Sequence, residues 1–382
     1  MSGITLTLRI GKTPQLAPRL LMEALQSVEV SHSDSSQSGF QLVFQVGRSG
    51  VRDRQDDPLL QSPLLTPFNR VILVIAIQAR ARVLMDGIIT RQEFAPGGEP
   101  GRSTLTITGE DVSVMMDQSS AKQEQHPQQS EMAIVRKIIS SADYAKYKLI
   151  ADVQKPPADI TPSRNERIPA QSGSDLAYLR ELGDRFDYIF FITPGPGVGQ
   201  NTAYWGPRPR GSKSQGAITA NMGSFTNAEG ISVQFDAQAA TQVEGRIQDR
   251  RTNQIQPLRV ATSDRPPLAR QSVLQLQQRQ SVRRVQTYEE TGHELARAQA
   301  RTQAIVNRSA ETGITVSGEL DTLRYGDLLK LRELVTLRGM GNTHNGLYYV
   351  KSVTHRIRKG EYQQSFTITR EGRNSTVSRV GR

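Results

Sequence analysis

Five histidines, two close carboxylate pairs and a few glycine-rich turns are the groups in these 382 residues whose type or spacing could carry bond chemistry. His32, His126, His293, His344 and His355 include no pair at i,i+4 beside a glutamate, the arrangement a zinc hydrolase uses. His344 falls in the turn Gly341-Asn-Thr-His-Asn-Gly346, and His355 closes a strand-like run, so both read as structural or interface groups. Pro194-Gly-Pro-Gly-Val-Gly199 lacks the Lys-Ser/Thr that a phosphate loop needs after its last glycine. Gly47-Arg-Ser-Gly50 has the wrong spacing for a nucleophile elbow. Glu181 with Asp184, and Asp321 with Asp327, are near in sequence only; glycan hydrolysis needs two carboxyls opposed across ~5–10 Å. With no cysteine, thiol nucleophiles, disulfides and thiolate metal sites are excluded. The expectation is therefore no catalytic set, no metal site and no cofactor.

The elements that would position any site are mostly strands. The longest apolar run, Val71–Ile77, is seven residues, against the ~20 of a spanning helix, so no membrane span is expected. Ile4, Leu6, Leu8 and Ile10 alternate with polar residues, the pattern of an opening strand and not of a signal peptide, and synthesis in the cytoplasm is the expectation. Further strands are expected at Gly39–Gln45, Val71–Gln78, Arg82–Phe94 and Ser103–Gly109, with Asp86-Gly87 a turn or a bulge. Short strands at this spacing suggest a small barrel or sandwich.

Gln118–Gln129 is polar and reads as a linker or exposed loop. Beyond it, Ser130 and Ser174 are N-cap candidates for two amphipathic helices, and the second feeds a strand at Asp187–Ile192. Strands return at Ile231–Phe235 and Gln242–Ile247. Arg246–Gln286 is rich in Gln and Arg and too poor in apolar residues to pack alone; it reads as a flexible excursion contacting an acidic neighbour or lining an assembly. A helix over Glu289–Arg308 follows, then strands at Gly313–Ser317, Leu328–Leu331, Leu334–Leu337, Gly346–Thr354 and Gln363–Arg370. The fold class is thus mainly β with an α+β insertion. The expected division is residues 1–117, a middle module at 118–225, and 226–382 with the excursion and helix at about 248–312.

Three blocks near the end carry a resemblance. Gly318-Glu-Leu-Asp-Thr-Leu-Arg-Tyr-Gly-Asp-Leu-Leu329, Gly346-Leu-Tyr-Tyr-Val-Lys-Ser-Val-Thr-His-Arg-Ile357 and Gly360-Glu-Tyr-Gln-Gln-Ser-Phe-Thr-Ile-Thr-Arg370 together resemble the phage late control D family, the baseplate hub proteins of contractile tails and tail-like injection systems. Gly87-Ile-Ile-Thr90 with Leu105–Asp111 and Gly173–Leu182 with Tyr188-Ile-Phe-Phe extend it upstream. The resemblance implies two tube-protein-like β-barrel domains per chain and a homotrimer whose six barrels form a pseudo-sixfold ring. That ring would join the inner tube above to a spike below, alongside other baseplate components. No repeat that could build a β-helix follows these blocks, so the spike is expected to be a separate protein. Interface candidates from the matched blocks and the excursion are Tyr325, Tyr348, Val350, His355, Tyr362, Phe366, Arg283 and Arg284.

Two competitors follow from composition. The formal charge of +11 fits nucleic acid. Arg246–Gln286, however, contains no aromatic residue for base stacking, and specific nucleic-acid binding is not expected. A tail-associated cell-wall glycan hydrolase would have to use the carboxylates named above.

Overall fold

A computed structural model describes residues 3–47, 58–98, 102–118, 123–157, 159, 161–163, 168–209, 213–249, 252–289 and 295–376. The chain opens with β1 (Ile4–Gly11), β2 (Gln15–Leu16), helix α1 (Arg19–Ala24), β3 (Leu25–Ser33), β4 (Gly39–Val46), β5 (Arg70–Ile77), β6 (Arg80–Ala95) and β7 (Ser103–Asp111). Alternation places Leu8, Ile10, Phe40, Leu42, Phe44, Leu73, Ile75, Leu105 and Ile107 in one core. Burial of such side chains stabilises by about 1.5–3 kcal/mol each. Asp86-Gly87 makes no turn, since β6 runs straight through it. The register shifts lie on either side, opposite Leu73/Val74 and near Ile89/Arg91.

The middle module contains β8 (Gln123–Gln125), α2 (Glu131–Ile139), β9 (Leu149–Val153), β10 (Ala170–Ser172), α3 (Asp175–Asp184), β11 (Tyr188–Pro194) and β12 (Asn201–Pro207). Ser130 and Ser174 accept hydrogen bonds from Ala133 N and Ala177 N, so both expected caps are in place. Leu176, Leu179 and Leu182 of α3 pack with Ile134, Val135, Ile138 and Trp205 in a second core. The expected linker at 118–129 holds β8, paired with β10; residues 119–122 lie outside the described ones.

The remainder comprises β13 (Ser214–Thr219), β14 (Ala228–Phe235), β15 (Gln242–Gln248), β16 (Ile255–Val260), β17 (Ala269–Ser272), α4 (Val273–Arg279), β18 (Val285–Tyr288), α5 (Leu295–Ala310), β19 (Ile314–Asp321), α6 (Thr322–Tyr325), β20 (Leu334–Arg338), α7 (Gly341–His344), β21 (Gly346–Arg358), β22 (Glu361–Arg370) and β23 (Gly372–Ser375). Leu328–Leu331 is not a strand. Leu329 is buried in an extended loop, where its N–H donates to Gln364 Oε1 at 2.7 Å. The excursion is also more ordered than its composition suggests. β16, β15 and β18 form a three-stranded sheet. Val243, Ile247, Leu258, Leu274 and Tyr288 pack there with Ala298 and Val306 of α5, so the core is borrowed from the helix beyond it.

One 13-stranded sheet links both ends of the chain in the order β14-β19-β22-β21-β3-β4-β7-β6-β5-β1-β2, with β13-β20 attached to β21. β21 makes the link. Its first part pairs with β20, its last part (Ser352–Arg358) pairs antiparallel with β3, and β22 lies along its other edge. The fold is mainly β with an α+β insertion, as the sequence implies, but the ladder is open. It starts at β14 and stops at β2, and no hydrogen-bonded circuit closes among the described residues.

Candidate assembly site and the junction that positions it

Among the described residues no group of three or more His, Asp or Glu has the geometry to hold a metal ion. The carboxylates weighed for hydrolysis have other tasks. Glu181 pairs with Arg185 at 2.8 Å on the surface of α3. Asp184 lies 3.5 Å from Arg308. Asp321 caps α6 by accepting from Leu323 N and Arg324 N. Asp327 is 3.5 Å from Arg82.

A cluster of buried ion pairs lies where all three stretches of the chain meet. Asp187, at φ 57° in the turn from α3 to β11, is buried and receives three arginines. Arg208 and Arg308 reach it at 2.9 Å and Arg265 at 2.5 Å. Arg208 also binds Asp34, at the end of β3, at 2.9 Å. Arg332 binds Asp34 from the other side at 3.2 Å while its guanidinium lies 3.9 Å from the centre of the Phe191 ring. Tyr349 of β21 donates to the same carboxylate at 3.0 Å, and Arg265 also meets Glu311. Burial works against the charge of Arg208, but Asp187, Asp34 and Glu311 outweigh it and raise its pKa. At Arg332 burial wins, and its pKa falls despite Asp34. Such a network contributes less to net stability than its distances suggest, because each ion is stripped of water. Its geometry fixes how first half, middle module, α5 and second half sit together.

A second pin joins the first half to the middle module. Arg70 of β5 holds Asp86 of β6 through two contacts of 2.7 Å and donates to the carbonyls of Lys146 and Gly199. Asn201 adds a hydrogen bond to Asp86 at 3.2 Å.

The candidates from the terminal blocks lie inward. Tyr348, Val350 and Phe366 are core residues of the second half. Tyr348 donates to His344 O at 2.6 Å, Arg370 lies 4.4 Å over its ring, and burial pushes its phenol up to about 12. His355, 1% exposed, is 3.0 Å from Tyr362 Oη and meets His32 of β3 edge-on at 5.5 Å. Tyr325 is half-buried against Gly216 of β13. Five of these six side chains are thus enclosed within the fold, and Tyr325 is partly exposed. Arg283 and Arg284 do reach the surface: Arg283 pairs with Glu244 at 2.5 Å and Arg284 donates to Gln238 O. Sequence reasoning missed Asp34, Asp187, Arg208 and Arg332, because a buried ion network spread over some 300 residues leaves no local spacing to read.

A mainly antiparallel open sheet, interrupted by an α+β module, is an architecture that solved phage-tail proteins also show. The tail protein from Neisseria meningitidis MC58 shares it, with TM-score 0.63, 12% identity and 97% of each chain covered. The 43 kDa tail protein of prophage MuSo2 from Shewanella oneidensis aligns with TM-score 0.61 and 11% identity over 96% of this chain and 98% of that one. An E. coli component of the type VI secretion system, described as similar to the T4 tail proteins gp27 and gp5, aligns with TM-score 0.51 and 11% identity over 93% and 77%. No protein-family model and no curated protein matches the chain. At these identities the likeness establishes the fold.

Proposed function

We propose that this chain is a baseplate hub: a homotrimer forming a pseudo-sixfold ring that joins the inner tube to a central spike, in a contractile tail or injection system. Residues 1–117 and 226–382 serve as the two tube-like units and 118–225 as the insertion between them. The observation that carries this reading is the match over 97% of both chains to a tail protein, in a molecule with a β unit at each end. Two β units in one chain let three copies present six positions to a sixfold tube while keeping threefold symmetry toward a spike. The function is geometric and adhesive, and the other baseplate proteins are its partners. Sedimentation equilibrium tests it: a trimer is expected at micromolar concentration, and a chain monomeric at every concentration overturns the reading.

A further inference from the structure

The two ends of the open sheet differ in charge and share an apolar character. At one end, Glu229 of β14 stands directly opposite Glu319 of β19. Both are exposed, and neither has a cation within ion-pair distance among the described residues. Like charges directly opposite on a ladder are unfavourable unless a third group neutralises them. At the head of β14, Phe225 is 77% exposed, with Met222 and Leu323 exposed nearby. Leu323 is held there because Asp321 N donates to Asn227 O and Arg324 to Thr226 O.

At the other end, Lys12 is exposed between β1 and β2 and has no carboxylate partner among the described residues. Among the described residues Arg9 of β1 reaches only the carbonyl of Pro14, at 3.4 Å. Beside them Leu16 of β2 is 64% exposed and Leu20 of α1 61%. Arg324 at the first end is taken up by Asp321, and Glu23 at the second by Arg19, so each end offers apolar side chains beside a pair of like charges with no ion-pair partner among the described residues, and the signs are opposite. Leaving such edges bare invites association.

We propose that the β14 end of one copy docks on the β1–β2–α1 end of the next, Glu229 and Glu319 facing Lys12 and Arg9, with Phe225 and Leu323 against Leu16 and Leu20. A surface that meets a different surface of an identical neighbour is head-to-tail, the geometry that generates rings. This inference rests on the trimer reading and names its contact.

Sedimentation equilibrium of charge variants of the full chain tests it. Glu229→Lys with Glu319→Lys, and separately Lys12→Glu with Arg9→Glu, should each weaken association by at least about tenfold. The quadruple variant, with both ends reversed, should recover it. Phe225→Asp with Leu20→Asp should give monomers with an unchanged circular dichroism spectrum. If both charge variants associate like the wild type, the contact is wrong and the trimer survives. A quadruple variant that stays apart also overturns the pairing of these ends. A wild type that never associates removes both.

Discussion

At the scale of single residues, two buried features make opposite demands on pH and charge. His32 and His355 face each other across the β3–β21 pairing, and burial lowers both pKa values, His32 to about 4 with Arg332 adding to the effect and the carbonyl of Leu84 opposing it. At His32 the unfolded chain takes up the proton as pH falls through about 6.5, whereas the folded chain resists until about 4, and His355 is shifted in the same direction. The stability contributed is full above pH 6.5 and is lost as pH falls toward 4, by up to about 3 kcal/mol. His355→Gln should flatten the fall in Tm between pH 6.5 and 5 in a thermal-melt series; an unchanged slope would exclude this pair as its source. Asp187 supplies the opposite case. Asp187→Asn keeps a residue tolerant of the left-handed φ but leaves Arg208, Arg265 and Arg308 without their shared carboxylate. A loss of about 3–5 kcal/mol is expected in urea titration. A change under 1 kcal/mol would mean that neighbouring acids or water replace it. Neither feature is legible in the sequence. Histidines at 32 and 355 and acids at 34 and 187 are far apart along the chain, and only register brings them together.

At the scale of elements, legibility follows how local the cause is. Strands β1, β4, β5 and β7 and the capped helices α2 and α3 can be read because alternation, helical spacing and N-caps lie within a few residues. Leu328–Leu331 has the composition of a strand, but Gln364 from β22 takes the N–H of Leu329 and holds the segment as a loop. The excursion misleads for the reverse reason: its sheet depends on β18 pairing parallel to β15 and on α5 for part of its core. Gly109 shows how tightly one element can depend on another. A Cβ there would come within 2.2 Å of Ile88 O and 2.3 Å of the Phe40 ring. Gly109→Ala should therefore destabilise by about 1–3 kcal/mol or more, read from the denaturation midpoint. Adding Phe40→Leu should restore little, because the carbonyl contact remains. Full rescue would show that the ring alone sets the limit.

At the scale of the whole molecule, a composition of two β units and an insertion suggests separable domains, yet the packing argues for cooperation. β21 contributes Ser352–Arg358 to the edge of β3, and Leu328, Ile357 and Tyr362 sit in the first half's core. Removing residues beyond the middle module would strip β3 of its β21 neighbour and open that core, leaving an exposed edge that invites aggregation. The ion network at Asp34 and Asp187 ties the remaining parts to the same point. The expected result is one calorimetric transition for the full chain with calorimetric and van't Hoff enthalpies in agreement, and a fragment of residues 1–117 that fails to give a cooperative melt. Two resolved transitions, or a fragment that melts like the intact protein, would show that the halves fold independently. Rigid coupling also bears on the proposed assembly. A ring of head-to-tail copies transmits a defined angle from β14 of one subunit to β1 of the next only if the 13-stranded sheet between them holds its shape. Loosening Asp187 should therefore weaken association measured at a temperature where the variant is still folded, even though that residue lies at neither end.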